Sequence, residues 1–365
     1  MHRCAILVSL LALLVSLARA ERPTACLQAN QRCTEWVLLD GEGQRGLVYR
    51  TQSLSNTDPE IEHAVIVIHG QNRNADGYFR HMLAGASLTE AMKNTLIVSP
   101  RFASNQGGSC RDQLADHEVG WVCAGPESWR SGGAQTQSVV KKLNSYDFMD
   151  TLLSKLSAQE VFPKLRTIVI AGHSAGGQYV SRYQLSNRMH DKVVRQRKIQ
   201  LSYVIGNPSS YTYPGPLRPT RSAVPPDISA SWAGDASAAN QQELSPFVPF
   251  ADAKSCTNFN SWPYGFEHRV GYAATVSDAV LTQQFAKREA IFLLGELDIY
   301  PVDGFDSTCA AMAQGPSRLA RGLAYVKFAH DNLQAQHRAV VVPACGHDAR
   351  CLFTAEKALP YLFLR

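Results

Sequence analysis

The segment with the clearest potential for chemistry is a glycine-rich stretch around Ser174. It runs from Gly172 to Gly177 (GHSAGG), directly after the apolar run Thr167–Ala171 and directly before a helix-like segment. A tight turn between a strand and a helix can present a serine hydroxyl to a substrate when the neighbouring residues are small. The same turn directs the N–H of Ala175 toward a developing oxyanion. The stretch therefore predicts Ser174 as a nucleophile, with a turn used only for packing as the alternative.

A nucleophilic serine needs a base that takes its proton and a carboxylate that orients the base. Asp298 comes just after the apolar run Ala290–Leu294, and His347 lies in a short loop after the last such run, Ala339–Val342. In open α/β sheets, the loops at the carboxyl ends of the strands face the ligand. We therefore expect Asp298 as the acid and His347 as the base, meeting Ser174 at one edge of a sheet.

Other residues could fill these two roles. Carboxylates on the same loop compete with Asp298 as the acid: Glu296, Asp303 and Asp306. Further histidines compete with His347 as the base: His173, His330 and His337. A structural role is the simpler interpretation for these three, because His173 is expected to point away from the cleft and the other two lie on or near a helix.

The elements that must position these residues alternate along the chain. Short apolar, β-branched runs suit strands buried on both faces of a parallel sheet: Ala64–Ile68, Thr95–Val98, Thr167–Ala171, Leu201–Ile205, Ala290–Leu294 and Ala339–Val342. Helix-like segments lie between them: Gly77–Lys93, Tyr146–Leu156, Gln178–Met189 and Arg318–Gln336. The earlier runs Trp36–Leu39 and Leu47–Thr51 fit an antiparallel edge. This alternation predicts an α/β fold with a mostly parallel central sheet flanked by helices.

Two long stretches interrupt the alternation, at residues 101–134 and about 207–284. We expect both to be insertions that cover the carboxyl-terminal edge of the strands, because long loops in a compact fold are often functional. Four of the five tryptophans fall within them: Trp121, Trp129, Trp232 and Trp262. These rings either line a cover over the site or pack the insertions onto the body of the protein.

Composition and charge exclude several classes of protein. Of the 365 residues, 45% are hydrophobic and 18% are charged, so the chain can bury a substantial core. Residues 1–20 resemble a secretory leader, with Arg3 before an apolar run and a small-x-small site at Ala18-Arg19-Ala20. Removing the leader lowers the formal charge from +5 to +3, and no basic stripe indicates a nucleic-acid partner. We expect a secreted protein, extracellular or periplasmic, without a stable membrane anchor; an uncleaved anchor is the alternative.

The cysteines fit an oxidising compartment. Nine cysteines less Cys4 in the leader leaves eight, an even number. Spacing favours the local pairs Cys26–Cys33, Cys110–Cys123 and Cys345–Cys351, which leaves Cys256–Cys309 by elimination. Some free buried thiols are the alternative. No Cys or His spacing supports a metal site, so no metal is expected.

These residues together resemble the α/β-hydrolase superfamily over most of the chain. The serine turn and the early His69-Gly70-Gln71 loop are similar to those of secreted esterases of the polyhydroxybutyrate-depolymerase and feruloyl-esterase type. The stretches Trp262–Gly265 and Cys309–Pro316 resemble parts of bacterial and fungal hydrolases of this superfamily. Depolymerases of that type usually carry a cysteine where this chain has Gln71, so a polymer substrate is not expected. The resemblance implies that the N–H groups of Gln71 and Ala175 form the oxyanion hole.

The resemblance and the residue pattern imply the same activity. We expect residues 21–365 to form one catalytic domain that hydrolyses small or oligomeric carboxylic esters through Ser174, His347 and Asp298, with an acyl-enzyme intermediate and no cofactor. A peptidase or an acyltransferase could use the same three residues. A secreted binding protein on a hydrolase scaffold is a further alternative. The sequence does not determine the oligomeric state.

Overall fold

The computed structural model describes residues 24–39, 43–137, 142–220 and 246–363. The predicted leader and Trp232 lie outside these ranges, as does part of the predicted insertion at 207–284. Among the described residues, no helix has both the length and the apolar character needed to cross a bilayer. The division of the chain into a leader and one catalytic domain stays a prediction.

Most strands of the described chain belong to one eight-stranded sheet. The strands are β1 (Thr34–Leu38), β2 (Arg45–Arg50), β3 (His63–Ile68), β4 (Thr95–Pro100), β5 (Thr167–His173), β6 (Gln200–Gly206), β7 (Leu217–Pro219), β8 (Phe247–Pro249), β9 (Ala290–Gly295) and β10 (Arg338–Val342). The order across the large sheet is β1-β2-β4-β3-β5-β6-β9-β10, and β7 pairs with β8 separately. From β4 to β10, neighbouring strands run parallel. β2 runs antiparallel to both β1 and β4 and so makes the expected antiparallel edge.

Helices cover both faces of this sheet. They are α1 (Ala75–Leu88), α2 (Ser145–Leu156), α3 (Ala175–Ser186), α4 (Asp278–Lys287), α5 (Cys309–Met312), α6 (Arg318–Leu333), α7 (Ala349–Thr354) and α8 (Leu359–Leu362). Alternate side chains of β3 enter different cores: Ile66 packs with residues of α2, α3 and α6, whereas Val67 packs with residues of α1, α7 and α8. Both side chains are fully buried, which is why this strand is apolar at successive positions.

The six predicted buried strands are all present, but helix ends differ from prediction. The helix expected at Gly77–Lys93 ends at Leu88, and a separate 3₁₀ turn follows at Ala91–Lys93. Glu90 between them has φ +57°, and a residue in the left-handed region cannot continue an α-helix. The helix expected from Gln178 begins earlier, at Ala175, directly after the serine. The structure thus brings helix α3 up to the predicted nucleophile.

The tryptophans of the two insertions fill both expected roles: some pack an insertion onto the body of the protein, and one lines a cavity. Trp121 and Trp129 are 0% and 1% exposed, and Trp129 stacks on Phe102 with 5.2 Å between ring centroids. These two rings therefore pack the first insertion onto the body. Trp262 is also buried, but it lines the main cavity next to Ser174. The second insertion thus contributes a wall of that cavity.

The eight cysteines of the described residues lie in four disulfide-bonded pairs. These are Cys26–Cys33, Cys110–Cys123, Cys256–Cys309 and Cys345–Cys351, the pairs expected from spacing and elimination. Their Cα atoms are 5.3 to 6.3 Å apart, within the usual range for a disulfide. The Cys256–Cys309 bridge joins the second insertion to helix α5, beside the loop that carries Asp306.

Candidate active site

Ser174 occupies a strained turn between β5 and α3. Its backbone has φ +59° and ψ −121°, a conformation that L-residues rarely adopt. Two backbone hydrogen bonds hold it there: its N–H donates to the carbonyl of Gly206 at 2.9 Å, and its carbonyl accepts from the N–H of Gln178 at 3.0 Å. Such strain persists only where the surroundings enforce it, and it is frequent at functional sites.

The glycines around Ser174 are required by close backbone packing. A Cβ atom on Gly172 would collide with the carbonyl of Gly176. A Cβ atom on Gly176 would collide with the carbonyls of Ile68 and His69, at the end of β3. Gly176 therefore lets the turn lie against the end of β3, and Gly172 lets the turn itself close tightly.

The structure brings His347 to Ser174. Its Nε2 lies 2.9 Å from Ser174 Oγ, and its Nδ1 lies 2.7 Å from Asp298 Oδ2. A carboxylate can only accept, so Nδ1–H donates to Asp298 and Nε2 is left to accept from the serine hydroxyl. The His347 side chain is 4% exposed and the Asp298 side chain 0%. The three predicted residues therefore form one continuous hydrogen-bonded chain.

The competing carboxylates have other partners. Glu296 accepts a hydrogen bond from the backbone N–H of Ala344 at 2.9 Å. Asp306 accepts from the hydroxyl of Tyr264 at 2.9 Å. Asp303 is exposed. Of the four carboxylates considered on this loop, Asp298 is the one that contacts His347.

The competing histidines are held in structural contacts. His330 Nε2 contacts the carbonyl of His337 at 2.7 Å, and the His337 ring packs between Phe285 and Phe292. His173 differs from the expectation that it points away from the cleft. Its Nδ1 lies 3.0 Å from the Tyr78 hydroxyl, and its ring centroid is 4.6 Å from that of His347. Burial lowers the pKa of His173 well below its usual value, so this ring is neutral beside the candidate base.

Arg318, the first residue of α6, was not among the residues predicted from the sequence. Its guanidinium is 0% exposed and contacts Asp298 Oδ1 at 3.2 Å, and it also donates to the carbonyls of Val302 and Asp303 at 2.7 and 2.9 Å. It thereby fixes both the carboxylate and the loop after it. One signal was available: a cation in the first turn of a helix opposes the helix dipole, so an arginine there needs a specific partner.

The predicted oxyanion loop is oriented by His69, whose role sequence analysis also missed. His69 Nε2 accepts from the N–H of Phe102 at 2.9 Å, so Nδ1–H is free to donate to the carbonyl of Gly70 at 2.8 Å. Burial lowers the pKa of His69 to about 4, which keeps the ring neutral. The N–H of Arg73 donates to the same Gly70 carbonyl at 3.1 Å. In a trans peptide the N–H points opposite to the carbonyl, so the N–H of Gln71 is directed away from His69.

Ser174 lies between two cavities. The larger, about 690 Å³, is bordered by Gln71, Ala175 and the second insertion. The smaller, about 350 Å³, contains His347, Gly70 and Gln71. A Cβ atom on Gly70 would lie 2.7 Å from the Tyr78 hydroxyl, so the glycine makes room for this tyrosine beside the loop. The predicted donors Gln71 and Ala175 thus both border the space in front of Ser174.

Comparisons with known proteins support the fold. The sequence matches no family model and no curated protein. Among solved structures, the poly(3-hydroxybutyrate) depolymerase LpqC from Bordetella parapertussis is 19% identical, with a TM-score of 0.54 over 87% of this chain and 84% of that chain. Poly(aspartic acid) hydrolase-1 from Sphingomonas sp. KT-1 is also 19% identical, with a TM-score of 0.55 over 90% of this chain and 98% of that chain. The chain therefore has the α/β-hydrolase fold that the resemblance predicted.

Proposed function

We propose that this protein is a secreted serine hydrolase that cleaves carboxylic esters. The observation that carries the proposal is the chain of hydrogen-bond distances from Ser174 Oγ to His347 Nε2, 2.9 Å, and from His347 Nδ1 to Asp298 Oδ2, 2.7 Å. The strained turn at Ser174 and the fold shared with two hydrolases support it. The four disulfide bonds support secretion, because they persist in oxidising compartments.

The reaction proceeds by acyl transfer to Ser174 and then to water. Ser174 Oγ attacks the ester carbonyl while its proton passes to His347 Nε2. His347 then gives that proton to the leaving alkoxide, and an acyl-enzyme remains. Water then attacks the carbonyl of the acyl-enzyme. His347 takes a proton from this water and gives it to Ser174 Oγ as the acid is released. Asp298 stabilises the imidazolium in both halves of the reaction.

The oxyanion of each tetrahedral intermediate needs hydrogen-bond donors. We assign this role to the N–H groups of Gln71 and Ala175, the first on the loop oriented by His69 and the second at the start of α3. Each such donor typically lowers the barrier by about 3 kcal/mol. Both are backbone groups held before substrate arrives, so little reorganisation is needed during the reaction.

The test is a comparison of the wild type with Ser174→Ala. We expect the variant to lose hydrolysis of p-nitrophenyl butyrate by about 10⁴-fold or more, and to lose labelling by a fluorophosphonate probe. Ser154→Ala is the matched control, because Ser154 is an exposed serine on helix α2. Circular dichroism checks that each variant is folded. Undiminished hydrolysis or labelling in folded Ser174→Ala would refute the proposal.

The same three residues could serve a peptidase or an acyltransferase. A substrate panel separates these activities from ester hydrolysis: unlabelled peptides, and an ester in the presence of an alcohol acceptor. Ester cleavage to the free acid, without peptide products or transfer to the alcohol, is the expected result. Preferential peptide cleavage or transfer to the alcohol would replace the esterase assignment.

A further inference from the structure

The main cavity beside Ser174 has an uneven charge. Two arginines, Arg130 and Arg182, are among its lining residues, and Asp306 is the one acidic residue among the described residues that line it. Asp306 is already engaged, since its two oxygens accept from Tyr264 and Thr308. Counting the two arginines and this carboxylate, the lining carries a net charge of one positive unit.

Arg182 is the more unusual of the two cations. It is 1% exposed, yet in the described part of the chain no carboxylate lies within ion-pair distance of it. Its contacts are long and go to uncharged oxygens: Thr212 Oγ1 at 3.4 Å, Ser210 Oγ at 3.3 Å and the carbonyl of Arg130 at 3.4 Å. Burying a cation without a counter-ion is costly. A group held in this state at a cavity wall is suited to an anionic ligand.

Arg130 strengthens this environment. The contact between Arg182 and the Arg130 carbonyl places the two residues side by side, and both border the cavity. Burial, together with a smaller effect of the nearby Arg130, lowers the pKa of Arg182 to about 10, so the group stays protonated at neutral pH. The carboxylate of Asp306 opposes this shift at both arginines, but its oxygens already accept from Tyr264 and Thr308. Two neighbouring cations repel each other, and one anion between them would relieve this repulsion.

We propose that Arg182 and Arg130 form a carboxylate-binding subsite, so that the preferred substrates are esters that carry a free carboxylate some distance from the scissile bond. The identification of the substrate class rests on the proposed esterase function; the binding of the carboxylate does not. A monoanion matches the single net positive charge of the lining. Guanidinium groups also present paired N–H donors that fit the two oxygens of a carboxylate.

The geometry sets the spacing between the two ends of the substrate. Ser174 caps the N-terminus of helix α3, and Gln178 and Arg182 follow it at intervals of four residues, so these two side chains lie on one face of the helix. Eight residues correspond to about 12 Å along the helix axis. Helical side chains lean toward the N-terminus, which brings the guanidinium back toward Ser174. Trp262, Val270 and Phe305 border the same cavity and offer apolar contact to a hydrocarbon linker between the ester and the carboxylate.

The test compares acidic and neutral esters of equal chain length. Monomethyl adipate is compared with methyl hexanoate by methanol release, and the half esters of succinate, glutarate and suberate determine the optimum length. We expect the wild type to prefer the acidic ester. We expect Arg182→Gln to lower the ratio of the two kcat/KM values by about 10- to 100-fold, the usual effect of a hydrogen bond to a charged group. Arg130→Gln, at a half-buried position, should lower the ratio in the same direction.

The matched control is Arg80→Gln, which removes an equal charge from an exposed position on helix α1 and should leave the ratio unchanged. Arg182→Lys retains the charge but loses the fork of donors, and should fall between the wild type and Arg182→Gln. An acidic-to-neutral ratio that is no greater than one in the wild type, or that Arg80→Gln lowers as much as Arg182→Gln, would overturn the proposal.

Direct binding separates the subsite from the proposed function. Monomethyl adipate, a monoanion, is titrated calorimetrically into Ser174→Ala, with and without Arg182→Gln, and inorganic phosphate serves as the competing anion. Monomethyl adipate binding that depends on Arg182 supports the subsite even if the wild type cleaves no ester. Ester cleavage by the wild type without monomethyl adipate binding to Ser174→Ala refutes the subsite and leaves the esterase function standing. Tighter binding of phosphate than of monomethyl adipate would overturn the assignment to a carboxylate.

Discussion

Arg318 and Arg182 are both buried arginines of the candidate site, but their surroundings differ. Arg318 lies behind Asp298 and makes an ion pair at 3.2 Å in addition to two hydrogen bonds to carbonyls. Arg182 lies along the main cavity, and its contacts, at 3.3 to 3.4 Å, go to uncharged oxygens. The charge of Arg318 is balanced by Asp298. Among the described residues no carboxylate makes an ion pair with Arg182, and the proposed ligand would balance its charge.

The difference separates two uses of a buried cation. Removing one member of a buried ion pair leaves the other charge uncompensated, at a cost of about 3–5 kcal/mol. Removing a buried cation that has no counter-ion leaves no such charge behind, so its effect on stability is small. We therefore expect Arg318 to stabilise the fold and to position the proposed acid Asp298, whereas the proposed binding role of Arg182 comes at a cost in stability.

The largest expected effect concerns the proposed acid, Asp298. Asp298→Asn should lower kcat/KM for p-nitrophenyl butyrate by about 10⁴-fold, because a neutral amide cannot stabilise the imidazolium and can favour the wrong tautomer of His347. The measurement is steady-state hydrolysis, with the rate of fluorophosphonate labelling as a second readout.

The control for this variant is Glu296→Gln on the same loop. Glutamine can still accept the hydrogen bond from Ala344, so the loop keeps its backbone contact. Little change in activity is expected. A loss in Glu296→Gln as large as that in Asp298→Asn would mean that the acid has been misassigned.

The second prediction tests the comparison itself through stability. Urea unfolding should show that Arg318→Met loses about 3–5 kcal/mol in free energy of unfolding, because Asp298 is left as an unpaired buried charge. Arg182→Met, measured without ligand, should lose less than about 1 kcal/mol or gain stability, because the unpaired cation is replaced by an apolar side chain of similar length. Equal losses in the two variants would remove the distinction between the two arginines.

The parts of this site that are local in sequence could be predicted. The strands β3, β5 and β9 are continuous apolar runs, and a run of that kind indicates burial on both faces of a sheet. Ser174 could be predicted because its small neighbours and its place between strand and helix are visible together. Asp298 and His347 could be predicted because each lies in the loop after an apolar strand, β9 and β10 respectively.

The contacts that sequence analysis missed join segments far apart in the chain. Nothing local to His69 shows that its Nε2 accepts from Phe102, 33 residues later. Arg182 lies eight residues after Ser174, the residue that caps helix α3, but the lack of a carboxylate partner among the described residues depends on the folded surroundings. Local sequence patterns therefore predict helices and strands, but they do not show which residues contact each other in the folded protein.

The smallest expected effect concerns buried histidines, which, unlike the buried arginines compared above, can lose their charge. His69 and His337 are 0% and 1% exposed, and burial lowers their pKa values to about 4 and about 3. Unlike Arg182, they avoid an unbalanced buried charge by staying neutral. In the unfolded chain both regain a pKa near 6.5 and bind protons first as the pH falls.

Their stabilisation is therefore complete above about pH 6.5 and is lost as the pH falls toward the folded-state values. Between pH 7 and pH 5, each histidine should lower the free energy of unfolding by about 2 kcal/mol. His337→Gln should reduce this drop by about the same amount, as measured by urea unfolding at both pH values, whereas His117→Asn, at an exposed position, should leave it unchanged. If the free energy of unfolding fell equally in His337→Gln and in the wild type, the fold would not keep His337 neutral. The contrast between buried histidines, which can lose their charge, and buried arginines, which cannot, would then fail.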